Sequence, residues 1–584
     1  MSEVLIRAEN PGKSRPASER ERYATLRDLM AIAFLWSVSL IIVNPSGNFP
    51  LNDDWAYGVT VKHLIQTGDF RPPDWPSMLL LTHVLWGSLF CIPASFSFNA
   101  LRLSTLAMSL VGILAAYVLT RSVCRSRWMA VIAALTLAFN PVYYAVSNTF
   151  LTDAPFTALA VLASLFFVRS LIRDSDRDLL VGTMLATAAT LSRQVGVAVP
   201  LAFAVSLLLR RGITKMNLAR ALIPPSVCFG AFWSFKRWLA LTGRLPAAYS
   251  FPMDFVRDQI ANPVKLVHTF TNHAYVVPLY LGWFLSPILV FALPTVRECR
   301  RKMAIAILSA SFGTMLMLAA ARITYRLSPL MPAWGNIMEK AGIGPLTLRD
   351  TFLLQRHMPE LPRSFWLAVT ILSVIGSALL IMALVQGTTG IVARARGVRM
   401  SASDAATTFL LLTAAILLSP FVVAPLFDRY LIPVLPFLAA GIAGIASTSA
   451  CSPRLNAKGI RFAAAILLAV LAWFSVCGTR DYLAWNRLRW QALDQLLKSK
   501  RATPKDIDGG FEFNALYLYD PKYRQTPDKS WWWVSRDTYM IAFGPLPGYR
   551  LAGEYTYQHW MPPYAGKVVV LEKNPMPLPS EDRP

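Results

Sequence analysis

The chain has 584 residues, 55% of them hydrophobic and only 15% charged, against about 25% charged in an ordinary soluble domain. Unbroken apolar runs such as 31–43, 154–168 and 305–321 exclude both a water-soluble core and disorder. A net charge of +24 raises nucleic acid as a partner, but the basic residues fall in small clusters between apolar runs, with no basic helix or aromatic–basic stripe; that is the positive-inside pattern of a membrane protein.

Residues 1–25 are polar and basic and read as a cytoplasmic tail, and the apolar run after them as an uncleaved signal anchor. A spanning helix needs about 17–25 mostly apolar residues. Such runs predict thirteen spans, at 26–44, 98–120, 128–147, 154–172, 178–191, 195–209, 219–241, 275–296, 303–321, 364–386, 405–424, 430–447 and 462–479. The pair 178–191 and 195–209 is short, and Ser192, Arg193 and Gln194 interrupt it, which suggests two short helices meeting in a wet cavity.

The run 76–93 is long enough to cross, and charge decides against it. If it does not cross, six loops lie on one side: 121–127, 169–177, 210–220, 297–302, 394–399 and 454–461. Together they hold 20 Lys and Arg, so a single parity choice puts them all in the cytoplasm. The segment 76–93 then reads as interfacial or re-entrant. The N-terminus is inside and the C-terminus outside. The large outer segments are 45–97, 242–274, 322–363 and the tail, 481–584. In the tail, 484–500 carries a helical pattern and 567–573 reads as a strand. Gly509–Gly510 and Pro545–Pro547–Gly548 signal turns. The run Trp531–Trp532–Trp533 reads either as a sugar-stacking platform or as core or headgroup-layer aromatics. The expected fold is thus an all-α polytopic membrane protein of about 13 transmembrane helices with a small α+β extracytoplasmic C-terminal domain. No P-loop or GxGxxG stands in the chain, and no cytoplasmic segment could house a nucleotide-binding domain.

Acidic residues near the outer face are scarce. Asp53 and Asp54 open a helical stretch that runs to Gln66, ahead of Gly68, and either could N-cap it. Asp153 joins two spans and follows Thr152, with Pro155 in the next turn, again a cap or an active-site acid. A charge near the apolar slab costs about 2.5–3.5 kcal/mol at its centre and less at the interface. Basic residues on the same side include Lys62, Arg193, Arg322 and Arg429. Arginines there could clamp a phosphate, or pair internally, as Arg429 with Asp428, or touch lipid headgroups. His268 and His273 are weak metal candidates, and HExxH and CxxC are absent.

The order of elements carries a resemblance: an apolar span, an outer loop with Asp53–Asp54, a Trp-containing apolar segment and two spans, then TFLTDAPF at 149–156 and FDRYLIPVLP at 427–436. It resembles the GT-C membrane glycosyltransferases, in the branch of the protein O-mannosyltransferases and the lipid A aminoarabinose transferases, over most of residues 20–480. The resemblance implies a GT-C-like transmembrane domain at 26–480. It implies transfer of a sugar from a polyprenyl-phosphate donor to an extracytoplasmic glycolipid, polysaccharide or protein acceptor, and location in a plasma membrane of the bacterial inner-membrane kind. The family's first-loop acidic motif matches Asp53–Asp54 and its second-loop acid matches Asp153. Asp54 stands where the family often has Glu, which leaves open which carboxylate leads and whether a divalent metal assists.

The chemistry suits those residues. A polyprenyl phosphate is already a good leaving group, so transfer needs one base for the acceptor hydroxyl and positive charge for the departing phosphate. It does not need the paired acid and base of a glycosidase. Asp53 is the candidate base, with Asp153 supporting, and Lys62, Arg193, Arg322 and Arg429 are the candidate phosphate ligands. Two rivals remain: a transporter or flippase of lipid-linked glycans, which would gain nothing from the tail, and a noncatalytic assembly or adhesion factor.

Overall fold

The computed structural model describes residues 17–93, 95–293, 301–395, 400–448, 457–499, 502–525 and 532–575. Trp531 and parts of the basic loops at 297–302, 394–399 and 454–461 lie outside the described residues.

The first helices set the frame: α1 (Ala17–Val43), α2 (Asp54–Thr67), α3 (Leu81–Cys91), α4 (Phe98–Val123), α5 (Arg127–Ala138), α6 (Pro141–Ser147), α7 (Asp153–Arg173) and α8 (Asp176–Ser192). Local chemistry explains their ends. Ser97, Ser126, Asn140 and Ser175 each accept a backbone N–H of the first turn of α4, α5, α6 and α8, which satisfies donors a helix start leaves free. Gly68 ends α2 in the left-handed region, at φ 72°, with its N–H on the Leu64 carbonyl. Between α5 and α6 the chain bends by 59°. Pro141 there has no N–H and cannot continue the first helix, so Asn140 recaps a second. That bend delivers the loop 148–153 to the end of the bundle.

Ten helices among the described residues are long and apolar enough to cross a membrane, and two bent pairs raise the number to twelve. These twelve coincide with twelve of the expected spans. The remaining one, 178–191, is α8, a 17-residue helix of about 26 Å. Its geometry still takes it from one end of the bundle to the other: Ser175 and Asp176 follow the far end of α7, while Arg193, just past its end, pairs with Asp153 at the start of α7. Helix α3 has 11 residues, about 16 Å, too short to span. The segment 45–97 also returns to where it began, because Asn48 and Asn99 tie the exit of α1 to the start of α4 through the backbones of Phe98 and Gly47. Large side chains on the bundle rim face outward, among them Ile41 at 78% and Met317 at 75% exposure, as lipid contact requires.

Ion pairs sort the loops into two ends. At one end Arg121 meets Glu21, Arg127 meets Asp28, Arg169 meets Asp178 and Arg220 meets Asp176. At the other gather the four large segments. Arg244 of the second pairs with Asp69 of the first at 2.7 Å, and Asp428 accepts the Met338 N–H of the third at 2.7 Å.

The last span does not stop at the tail. Lys458–Lys498 is one helix of 41 residues, about 61 Å long, so the expected boundary at 480/481 falls inside a continuous element. Beyond it lies a four-stranded sheet. A two-residue pair, β1 (Met338–Glu339) with β2 (Gly342–Ile343), stands apart in the third large segment, and the sheet itself is β3 (Ile507–Asp508), β4 (Tyr539–Ala542), β5 (Tyr549–Trp560) and β6 (Pro563–Lys573), in the order β3-β4-β6-β5. β3 and β4 run parallel and the rest antiparallel. The expected strand at 567–573 is the second half of β6.

Candidate active site

Two acids and two arginines meet at the loop-rich end. Asp53 occupies the N-cap position of α2, yet its side chain accepts no capping bond. One carboxylate oxygen accepts the Trp75 indole N–H at 2.9 Å and the other accepts from Arg429 at 2.7 Å. Asp153 is the first residue of α7 and pairs with Arg193. Arg193 can reach it because the chain between α8 and the helix Ala198–Arg211 is extended at Arg193 and then turns sharply through Gln194–Val197. Gly196 makes that turn possible, since a Cβ there would lie 2.6 Å from the Thr190 nitrogen.

The two pairs share aromatic walls. The Tyr430 ring lies 5.2 Å from the Arg193 guanidinium and 5.7 Å from that of Arg429. Tyr57, one helical turn after Asp53 and so on the same face of α2, is buried within the fields of Asp53, Asp153, Arg193 and Arg429. Burial pushes its hydroxyl well above its ordinary range.

Two acids and two bases cancel in charge, but the hydrogen bonds do not close. Arg429 has only 8% of its side chain exposed, and its Nε and NH1 have no hydrogen-bond partner among the described residues. Gln194 Oε1 is likewise buried and unpartnered. An orphaned buried donor on a cation costs about 1–3 kcal/mol or more, so the two Arg429 N–H groups are poised for a ligand with acceptor oxygens, and the Gln194 oxygen for one with a hydroxyl. A cavity of about 170 Å³ lies beside the cluster, walled by Phe156, Phe421, Phe427 and Tyr430, with Ser77, Arg193 and Gln194 in its polar lining; Arg429 is not part of that lining and meets it through Tyr430, whose ring its guanidinium faces. Guanidinium donors beside an apolar slot match a phosphate carried on a hydrocarbon chain.

Of the expected residues, the structure brings together Asp53, Asp153, Arg193 and Arg429. Asp54 faces away from them. Its carboxylate accepts the Leu51 N–H at 2.5 Å and the Phe150 N–H at 2.9 Å, pegging the first loop to the second, and burial raises its carboxyl to about 8. Lys62 is exposed on α2, 6.0 Å from the Phe96 ring centre. Arg322 spends its donors on Asn272 and on the carbonyls of Ser328 and Ala333, so it braces its own loop. The alternative in which Arg429 pairs with Asp428 is not the one formed, because Asp428 accepts the backbone N–H groups of Ile337, Met338 and Arg429. Trp532 and Trp533 pack in an aromatic cluster with Phe511, which is the core reading of the Trp run. Sequence reasoning passed over Trp75, and no motif marked it. Tyr430 stood inside the motif at 427–436, and Tyr57 in the helical stretch after Asp53, with only their spacing from Arg429 and Asp53 as a signal.

The donor set does not suit a metal ion. Asp53 and Asp153 are each engaged by an arginine, and among the described residues no group of three or more His, Cys, Asp or Glu could hold one.

Residues 80–227, which include Asp153 and Arg193, match the family described as Dolichyl-phosphate-mannose-protein mannosyltransferase. No match was found among curated proteins. The fold is similar to that of ArnT from Cupriavidus metallidurans bound to undecaprenyl phosphate, at 12% identity over 95% of this chain and 98% of that one, with a TM-score of 0.47. It is also similar to the archaeal oligosaccharyltransferase AglB from Archaeoglobus fulgidus (16% identity, 88% and 63% of the two chains, TM-score 0.42). A third similar structure is the arabinosyltransferase EmbB from Mycobacterium smegmatis (16% identity, 83% and 44%, TM-score 0.33).

Proposed function

For this chain, a multi-pass membrane glycosyltransferase of the GT-C type, we propose single-displacement transfer of a sugar from a polyprenyl-phosphate donor to a hydroxyl of an extracytoplasmic glycolipid, polysaccharide or protein. Arg429 carries the reading: a buried guanidinium that touches the candidate base and keeps two donors unpartnered.

In this mechanism the phosphate sits on the free donors of Arg429, with Arg193 on its other side, and the prenyl chain lies along the phenylalanine-walled slot. Asp53 takes the proton of the acceptor hydroxyl as its oxygen attacks the anomeric carbon. The bond from that carbon to the phosphate oxygen breaks, and its electron pair leaves with the phosphate. Arg429 meets the charge that grows there, which is the electrostatic part of the catalysis. One displacement inverts the anomeric carbon. Asp153 holds Arg193 in place and sets the second wall. No step uses a metal. The loop-rich end faces outward, a placement the 20 Lys and Arg of the opposite loops support.

A transporter would need no base. The deciding test is transfer by purified protein in lipid nanodiscs, from a radiolabelled polyprenyl-phosphate sugar to extracted envelope glycolipid, with the anomeric configuration of donor and product compared. Retained configuration, or no transfer by protein that in sealed liposomes moves the same donor across the bilayer, would remove the proposal.

A further inference from the structure

The C-terminal segment holds two grips on the loop that carries Asp53. The first is Glu512, in the helix Phe511–Leu518, whose side chain is fully buried. One of its oxygens accepts the Asn52 N–H at 3.0 Å, and the other accepts from the Thr347 hydroxyl at 2.8 Å and from Arg489 at 2.7 Å. Asn52 is in the left-handed region, at φ 56°, and its side-chain oxygen accepts the Asp53 N–H at 2.8 Å. Asparagine enters this region more readily than other non-glycine residues, through local side-chain bonds of this kind, and a long-range contact to its N–H holds it there. Glu512 supplies that contact, across 460 positions of sequence.

The second grip is aromatic. The Trp75 indole N–H is the donor to Asp53, and the Trp75 ring is packed against Phe511 at 5.7 Å, Trp533 at 5.6 Å and Tyr519 at 6.2 Å. All three come from the tail. So one carboxylate oxygen of Asp53 is held by Arg429, and the other by an indole whose own position the tail sets. A carboxylate held by two donors from different directions has little freedom to rotate, and an error of about 1 Å in a reacting group can cost on the order of 10²-fold in rate.

We propose that the C-terminal segment is a positioning element of the transfer site: Glu512 fixes the backbone at Asn52–Asp53, and Trp75, backed by Phe511, Tyr519 and Trp533, aims the Asp53 carboxylate. This rests on Asp53 as the general base. Neither Glu512 nor Trp75 touches the reacting atoms.

The test is a double-mutant cycle on the full-length protein in nanodiscs, reading kcat and donor KM separately. Trp75→Phe keeps the ring and removes the N–H. It should lower kcat about tenfold and leave donor KM within about twofold, and it should cost nothing further once Asp53→Asn is present, because it acts only through that carboxylate. Tyr519→Leu, which removes one ring behind Trp75, should lower kcat by about three- to tenfold and be masked in the same way. Glu512→Ala should also lower kcat, and Glu512→Gln, which keeps an acceptor for the Asn52 N–H, should recover most of the loss; if Glu512→Ala does not fold, Tyr519→Leu still tests the tail. Losses from Trp75→Phe that add in full to those of Asp53→Asn would overturn the inference and leave the base assignment standing. So would kcat within twofold of wild type in both Trp75→Phe and Tyr519→Leu. Wild-type turnover in Asp53→Asn alone would remove the base assignment and this inference together.

Discussion

Replacing Asp53 with Asn keeps the size of the side chain and an oxygen for the Trp75 N–H, and removes its basicity, since an amide does not take the proton a carboxylate would. General-base catalysis is worth about 10²–10⁴-fold, or about 3–5 kcal/mol in activation free energy, and transfer should fall by that order. Stability sets a competing effect. Breaking a fully buried ion pair costs about 3–5 kcal/mol, but here Asp53 is 16% and Arg429 8% exposed, and Arg429 also lies in the field of Asp153. The cost should therefore fall below that range, and the variant should insert and fold. Donor affinity moves the other way: Arg429, freed of its carboxylate, should bind the phosphate as tightly as wild type or more so. The assay is single-turnover transfer with the labelled donor, beside donor binding and a melting curve on the same preparation. Turnover within about threefold of wild type, or an activity loss matched by loss of donor binding, would refute Asp53 as the base.

Other outcomes follow from the same geometry. Arg429→Ala should weaken donor binding strongly and Arg429→Lys less so, since lysine keeps the charge but loses the planar fork; equal affinities in both and wild type would take Arg429 out of the phosphate site. Asp54→Asn should lose less transfer than Asp53→Asn and act mainly on melting temperature, because Asp54 holds two backbone N–H groups of adjoining loops. Its carboxyl is raised by burial from 3.8 to about 8, so the folded state holds the proton more tightly than the unfolded one, and this group's contribution to stability is full below pH ~4 and lost as pH rises toward 8. The pH dependence of wild-type melting should carry that component, and Asp54→Asn should lack it. A single cysteine placed at Arg125, with the native cysteines removed, should resist a membrane-impermeant thiol reagent added outside intact cells; labelling there would invert the topology. Arg193→Gln should loosen both Asp153 and the slot, raising donor KM, and an unchanged KM would leave Arg193 a partner of Asp153 alone.

Sequence alone determined what depends on short stretches of chain. An apolar run of twenty residues has few places to go but a membrane, so twelve spans stand where hydropathy put them. The spread of arginines between runs orders the loops into two ends, and α3 stays short of a span where charge parity required it. Asp53 and Asp153 were visible because carboxylates are costly beside an apolar slab and therefore rare there. What the tertiary structure decided is which charges meet. Asp53 and Arg429 are 376 residues apart, and Asn52 and Glu512 are 460 apart. In sequence Lys62 and Arg322 looked as suitable as Arg193 and Arg429. Arg322 was withdrawn because its donors found Asn272 and two carbonyls, and Lys62 because it lies exposed on α2, outside the cluster. Asp53 and Asp54, neighbours in the chain, found different partners, because successive residues on a helix face directions about 100° apart: one points toward Arg429 and the other is buried against the backbone of Phe150. Hydropathy and charge are sums over local composition and survive without a partner. A site is a set of distances, and those exist only once the chain has closed.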